Sequence, residues 1–432
     1  MNTLYTICYI FNFYFKIFQP IDIQHSHFVI MSVIPADLTF EKALESVRIK
    51  RIPVRAQSDT QTYGLNGKVQ IQLPSDFSDF RGSYLTFNAI APINGGTYVR
   101  FSYPIQTMFR RAQIYLGSEI IEDIDDQNVL QGIFKMASSF DSVNNVTLEG
   151  AYLAATRATQ TNAGRLYSIH MRLESLERVW PLHKIKMPLR IVLTVGSGTD
   201  FLEFDGALPV VTISDIYLNY HSLQVPSDVS ALLDAQIAAG NLKVRVHSWD
   251  NYNVQLASAT SNTLMLPFKR KVVNAILAVW RDAADISSAA VDGKFTDQFE
   301  ADGIITTYVK VATQTYPADK YEMNYNFGYL QMANVFNSIM QSDYRAYFRQ
   351  QDTFSLQAPA TRAGIGAYDL RNDNSPRSDD LWGNGIDTSQ SANSQQLGLL
   401  FSVAPGALAV DVYAKYESVI TVLPGGGINV DA

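Results

Sequence analysis

The chain has 432 residues, with 34 basic and 41 acidic side chains, a formal charge of −7 and a single cysteine, Cys8. Such a length exceeds one β-sandwich and indicates two domains, or one domain with large insertions. The acidic balance excludes broad contact with nucleic acid, and one cysteine excludes both a disulfide framework and a Cys-based zinc site.

Charged residues make up only 17% of the chain, against about 25% in an average globular protein. This leaves less polar surface than a freely soluble monomer wants, so much of the exterior is expected to be buried against copies of itself. The 23 Tyr and 23 Phe favour strands and large interfaces, although an aromatic β core has the same composition.

Residues 4–18, LYTICYIFNFYFKIF, form an aromatic, apolar run. It is too short for a membrane span, Lys16 interrupts it, and it lacks the basic start and cleavage site of a signal peptide. Met31 then opens MSVIPADLTFEKALESVRIKR, the pattern of an ordinary protein start. Residues 1–31 are therefore expected to be a leader or an over-extended start that packs poorly on the body. An arm touching a membrane or a partner is the alternative.

After residue 50 the dominant pattern is strands separated by turn signals. KVQIQLP at 68–74 alternates with period two, and 97–121 reads as two strands with a turn at Gly117 and Ser118. SIHMRLESL, KMPLRIVLTV and VVTISDIYLNYHSLQV follow, then LKVRVHSW, NTLMLPF, KVVNAILAVW, ITTYVKVATQTY, LGLLFSVAP and LAVDVYAKYESVITVL. No strand–helix–strand alternation appears, which points to sandwiches rather than a parallel α/β sheet. Helices are predicted over 126–140, with Val129, Leu130, Ile133, Phe134 and Ala137 on one face, and over 327–340, with Leu330, Val335, Phe336 and Ile339. A third, over 226–240, runs from a Ser227 cap to Gly240 and reads as the connector between halves. Residues 362–396, rich in Gly, Ser, Asn and Asp, read as a long surface loop whose Trp382 anchors it to a neighbouring subunit or a partner. The first-half counterpart, near 151–165, is shorter.

The halves repeat. Asp215-Ile216-Tyr217-Leu218-Asn219-Tyr220-His221-Ser222 and Asp411-Val412-Tyr413-Ala414-Lys415-Tyr416-Glu417-Ser418 share D-[IV]-Y-x-x-Y-x-S at an offset of 196 residues. In each half a strand leads through acidic residues to a helix, and Asp141 and Asp343 after those helices are 202 apart. Two features at nearly one offset, either side of a linker helix, indicate duplication. Tyr217 should superpose on Tyr413 and Tyr220 on Tyr416, in the last strand of each sandwich. Asp215, Asp411, Ser222 and Ser418 should fix strand ends by hydrogen bonding, without catalysis.

This layout resembles the double jelly-roll major capsid proteins of tailless icosahedral double-stranded DNA viruses, of the polinton-like virus and virophage type. The resemblance is carried by TYVRFSYPIQTMFRRAQIYLGSEIIED with its following helix, and by Tyr316-Pro317 and the helix from Phe327 to Met340. It implies an all-β chain of two tandem eight-stranded jelly-roll sandwiches with a few short helices in the connections. The expected division is a leader over 1–31, a first jelly roll over 32–225, a linker helix over 226–240 and a second jelly roll over 241–432. It also implies homotrimers of pseudo-hexagonal outline that tile a viral shell beside neighbouring trimers, a penton protein and minor capsid proteins. No direct nucleic-acid binding is expected, and there is room for an internal membrane.

Candidate chemistry is sparse. None of His25, His27, His170, His183, His221 and His247 sits in an HExxH motif or beside paired cysteines, so zinc is not expected. Glu119, Glu122, Asp123, Asp125 and Asp126 lack the pattern of a calcium loop and read as acids at the start of the helix near 126. Gly364-Ile365-Gly366 reads as flexibility, Asn145-Val146-Thr147 as a chance glycosylation triplet, and RIKR at 48–51 and FKRK at 268–271 as solvated strand ends. There is no G-x-S-x-G and no catalytic triad order. No catalytic residue, metal ligand or cofactor is assigned. The readings kept open beside a capsid protein are a β-rich enzyme and a carbohydrate- or receptor-binding sandwich (a viral spike or lectin) with an aromatic platform near Trp249 or Trp382.

Overall fold

The computed structural model describes residues 49–136, 150, 154–283, 286, 304–322, 331, 332, 334–336, 338, 339, 365–371, 384–390 and 394–431. The first half holds β1 (Lys50–Gln57), β2 (Thr62–Tyr63), β3 (Lys68–Gln72), β4 (Phe77–Ile90), β5 (Val99–Phe101), β6 (Phe109–Leu116), β7 (Glu119–Ile124), β8 (Arg165–Ile169), β9 (Val179–Pro181), β10 (Leu189–Val195), β11 (Leu202–Phe204) and β12 (Thr212–Gln224). The second holds β13 (Lys243–Gln255), β14 (Ser261–Leu266), β15 (Val273–Asp282), β16 (Ile304–Val311), β17 (Gln314–Glu322), β18 (Ile365–Asp369), β19 (Gln395–Phe401), β20 (Leu408–Val422) and β21 (Ile428–Asp431). The helices among the described residues include α1 (Gln127–Met136), α2 (Ala154–Ala163) and α3 (Ser227–Ala238), with single turns at Ile105–Met108 and Gly198–Phe201 and helical positions at 331, 332, 334–336, 338 and 339.

The first half pairs β1-β12-β4-β8 in one antiparallel sheet and β3-β10-β6-β7 in the other. The second pairs β13-β20-β15-β18 and β14-β19-β16-β17. In each half the chain visits its two sheets in the same order, and the last long strand lies between the first and the third. That is the jelly-roll itinerary, made twice.

The repeated motif occupies equivalent places. Tyr217 pairs with Gln57 of β1 and Thr86 of β4, while Tyr413 pairs with Asn251 of β13 and Leu277 of β15. Tyr220 and Tyr416 both turn into their cores, as period-two alternation from Ile216 and Val412 requires. The aspartates differ. Asp215 has φ 53° in a bulge of β12, exposed and bonded to Asn88. Asp411 is buried within an unbroken β20 and paired with Arg281.

The two cores exchange elements. Leu242, Val244, Val246, Ile420 and Val422 of the second half join the first core, together with Leu233 and Ile237 of α3. Conversely, Ile124 and the α1 residues Val129, Leu130, Ile133 and Phe134 join the second core.

Several expectations are corrected. Residues 365–369, expected in the long loop, are strand β18, paired to β15 and buried. Gly366 within it and Gly364 just before it hid it, since glycine weakens a strand signal. Gly366 is there for packing rather than flexibility, because a Cβ would lie 2.6 Å from the Trp280 ring. Arg371, expected on the surface, is buried against Asp369 and Ser338. Residues 154–163 are helix α2, whose Arg157 reaches the buried Glu203 at 3.6 Å. β1 and β4 were not foreseen as strands. Ser227 is not a cap: Pro226 holds that position and Ser227 lies in the first turn, while Gly240, at φ 68°, stops α3 as expected. Residues 1–31, Asp141, Asn145, Asp343 and Trp382 lie outside the described residues.

Candidate functional site: the seam between the two jelly rolls

The densest chemistry lies where α1, β7 and the segment around Glu174 meet the outer face of the β13-β20-β15-β18 sheet. Period two places Asp411, Tyr413, Lys415 and Glu417 on that face of β20, opposite Val412, Ala414 and Tyr416. Each finds a partner. Tyr413 Oη donates to the Asp126 carbonyl at 2.8 Å, and Lys415 Nζ lies 3.0 Å from the Glu174 carboxylate. Glu417 accepts from Asn274 at 2.7 Å, with His247 at 3.9 Å. Asp411 accepts two bonds from Arg281, at 2.6 and 3.0 Å, and one from Asn253. Trp249, 1% exposed, meets the Phe134 ring edge-on at 6.0 Å. Helix α1 is buried all round, so even Gln127, Asn128, Gln131 and Lys135 are enclosed.

Burial sets the protonation states. It pushes Glu122, which accepts from Ser175, up to about 8. Burial and the neighbouring Asp411 lift Asp126 to about 6, and burial with Glu174 lifts Glu177 to about 7. Burial acts on Glu174 too, but Lys415 and His247 overcome it and hold its carboxyl below the ordinary range.

A pH dependence follows. A carboxyl raised in the folded state contributes stability that is full below its ordinary value of 4.5 and lost as pH rises through about 8. The Glu122 contribution falls by about 1.4 kcal/mol per pH unit within that window. Folding stability is expected to drop from pH 6 to pH 8, and Glu122→Gln should flatten the profile and stabilise the protein at pH 8. Denaturant unfolding at the two pH values checks this; an unchanged slope in the variant would remove Glu122 as the cause.

The acids expected at the helix start divide. Only Asp125 and Asp126 flank α1, where Asp126 lends its carbonyl to the amides of Val129 and Leu130 and Arg110 lies 3.4 Å from its carboxylate. Glu122 belongs to the seam, Asp123 pairs with Arg111, and Glu119 opens β7. Of the described histidines, His170 stands 3.8 Å from Glu177, His183 meets the Phe77 ring at 5.3 Å, and His221 lies on the outer face of β12. Among the described residues no three His, Cys, Asp or Glu side chains gather in a way that could hold a metal ion. The basic runs sit at strand ends, with Arg270 on Asp250, Lys271 on Asp431 and Arg51 on Asp79. Lys415, Glu174, Arg281 and Trp249 were missed as seam residues. The signal was a polar stripe of period two within an otherwise apolar strand, which by itself reads as a solvent face.

No family model matches the chain, and no curated protein matches it. Solved structures do match it in fold over nearly its whole length. The PBCV-1 protein VP54, fitted into a reconstruction of the virophage Sputnik, is 11% identical with a TM-score of 0.60, covering 89% of this chain and 98% of that one. The Faustovirus major capsid protein is 9% identical with a TM-score of 0.59, covering 87% and 90%. The PBCV-1 capsid protein in a quasi-atomic model of that virus is 11% identical with a TM-score of 0.57, covering 89% and 98%. The chain therefore has the double jelly-roll fold of these proteins.

Proposed function

We propose that the chain is a structural major capsid protein that trimerises into pseudo-hexagonal capsomers, which tile an icosahedral viral shell. The observation that carries this reading is a pair of jelly rolls of one topology, fused by a buried seam, in a chain that matches capsid proteins in fold over nearly their full length. Two similar sandwiches per chain let three chains present six similar units around one axis. The domain division at 226–240 belongs to this proposal, as do a place in the virion, a shell role without catalysis, and contact with penton and minor capsid proteins. The burial of Trp249 counts against an aromatic sugar platform there.

The test is the mass of the full chain in solution. Sedimentation should give three times the 48.1 kDa of one chain. A monomer at every concentration would count against the capsid reading.

A further inference from the structure

The joint between the two jelly rolls is made of two unlike stretches. At the end nearest α3 it is apolar: Val244 and Val246 of β13, Ile420 and Val422 of β20, and Leu233 and Ile237 of α3 pack into the first core. Farther along the same two strands it turns polar and acidic. There His247 and Ser248 of β13, and Asp411, Lys415 and Glu417 of β20, meet β7, the start of α1 and the segment around Glu174. Nothing titrates in the first stretch near neutral pH, whereas the second gathers buried carboxyls from both halves of the chain.

The neighbours of each acid set what its ionisation does. Glu122, 1% exposed, stands on β7 beside β13 and accepts from Ser175. Glu174, Ser248 and Tyr416 also face it, and Arg270 lies over the Tyr416 ring at 4.1 Å. Glu177 faces Glu174, Arg172 and Lys415, with His170 at 3.8 Å. Glu174 faces Lys415, His247 and Trp249, and Asp126 faces Asp125, Asp411, Arg110 and Arg281. His170 with Glu177, and His247 with Glu417, are ion pairs only while the imidazole is protonated. Rising pH therefore changes the charge of this stretch in one direction, because carboxyls become negative and imidazoles lose their positive charge. Like charges buried together must be hydrated or moved apart, and water reaches these groups only if the elements part.

We propose that the joint is a proton-operated clasp. The polar stretch facing Asp411 to Glu417 stays shut while Glu122 and Glu177 carry protons and parts when they lose them, with the apolar end beside α3 as the hinge. Each sandwich keeps its own sheets throughout, so what loosens is the angle between them. The clasp goes beyond the capsid reading and lies within one chain. Under that reading a loosened joint spoils the pseudo-hexagonal outline, so alkaline conditions should weaken the shell.

The test is amide exchange of the full chain at pH 6 and pH 9, read as protection factors so that the intrinsic effect of pH on exchange is removed. Protection of α1 and β7 should fall by about ten-fold or more, since pH 9 lies one unit above the value of about 8 at which Glu122 ionises. Strands β14, β16 and β19, in the far sheet of the second sandwich, should keep theirs. Glu122→Gln with Glu177→Gln cannot ionise at either position and should hold α1 and β7 protected at pH 9. Circular dichroism and thermal melting establish that this variant folds; if it does not, Glu122→Gln alone is read by the same difference. Unchanged protection of α1 in the unmodified chain, an equal fall in the variant, or an equal fall in all strands would overturn the clasp. A chain that stays monomeric would count against the capsid reading and leave this test standing.

Discussion

Replacing Asp411 with Ala is expected to destabilise the protein by about 3–5 kcal/mol, the usual cost of leaving one charge of a buried ion pair without its partner. Asp411 is 1% exposed and joins three strands, accepting from Arg281 of β15 and Asn253 of β13 while standing in β20. Removing it strands the buried Arg281 guanidinium. Asp126, whose titration responds to the Arg281 charge, is the remaining acid nearby and should keep the loss towards the lower end of that range. Asp411→Asn retains an acceptor for Arg281 and should cost less. Arg281→Met combined with Asp411→Leu should recover most of the loss, because an apolar pair of similar volume removes the desolvation problem. Denaturant unfolding measures all three. An Asp411→Ala variant as stable as the unmodified protein would mean that the pair holds nothing together.

Truncating Trp249 to Ala is expected to cost a similar amount, about 3–5 kcal/mol, from lost transfer free energy and the cavity left behind. The consequence for assembly is larger than the number suggests. Trp249 belongs to the second jelly roll, and its ring is held by Phe134 of the first and by Lys415, whose ammonium lies 5.7 Å from the ring centre. Its removal loosens the joint that sets the angle between the two jelly rolls. Amide exchange should therefore accelerate in α1 and β13 before it does in β4 and β8, which lie in the sheet of the first sandwich that does not contain β7. Uniform acceleration across both cores would place Trp249 in global stability rather than in the seam.

The duplication was legible because the last strand of each sandwich carries an eight-residue motif with four shared positions, and the fold follows its strand pairs. The helix over α1 was legible from Val129, Leu130, Ile133 and Phe134, but its destination was not. An apolar stripe says that a helix buries one face, not in which core. Enclosure of Gln127, Asn128 and Gln131 comes from being held between two sandwiches, a tertiary effect that overrides local polarity. Strand β18 was lost because pairing to β15 and contact with Trp280, rather than propensity, define Ile365–Asp369. The surroundings of Lys415 and Tyr413 were not legible, because period-two alternation cannot tell water from a neighbouring domain that supplies Glu174 and the Asp126 carbonyl.

In the proposed capsomer each chain contributes two equivalent jelly rolls to one ring-shaped unit. Negative-stain imaging of the purified full chain tests it most directly. Three-fold particles whose outline has six nearly equal lobes are expected. Isolated two-lobed particles, or assemblies with two-fold symmetry only, would contradict it.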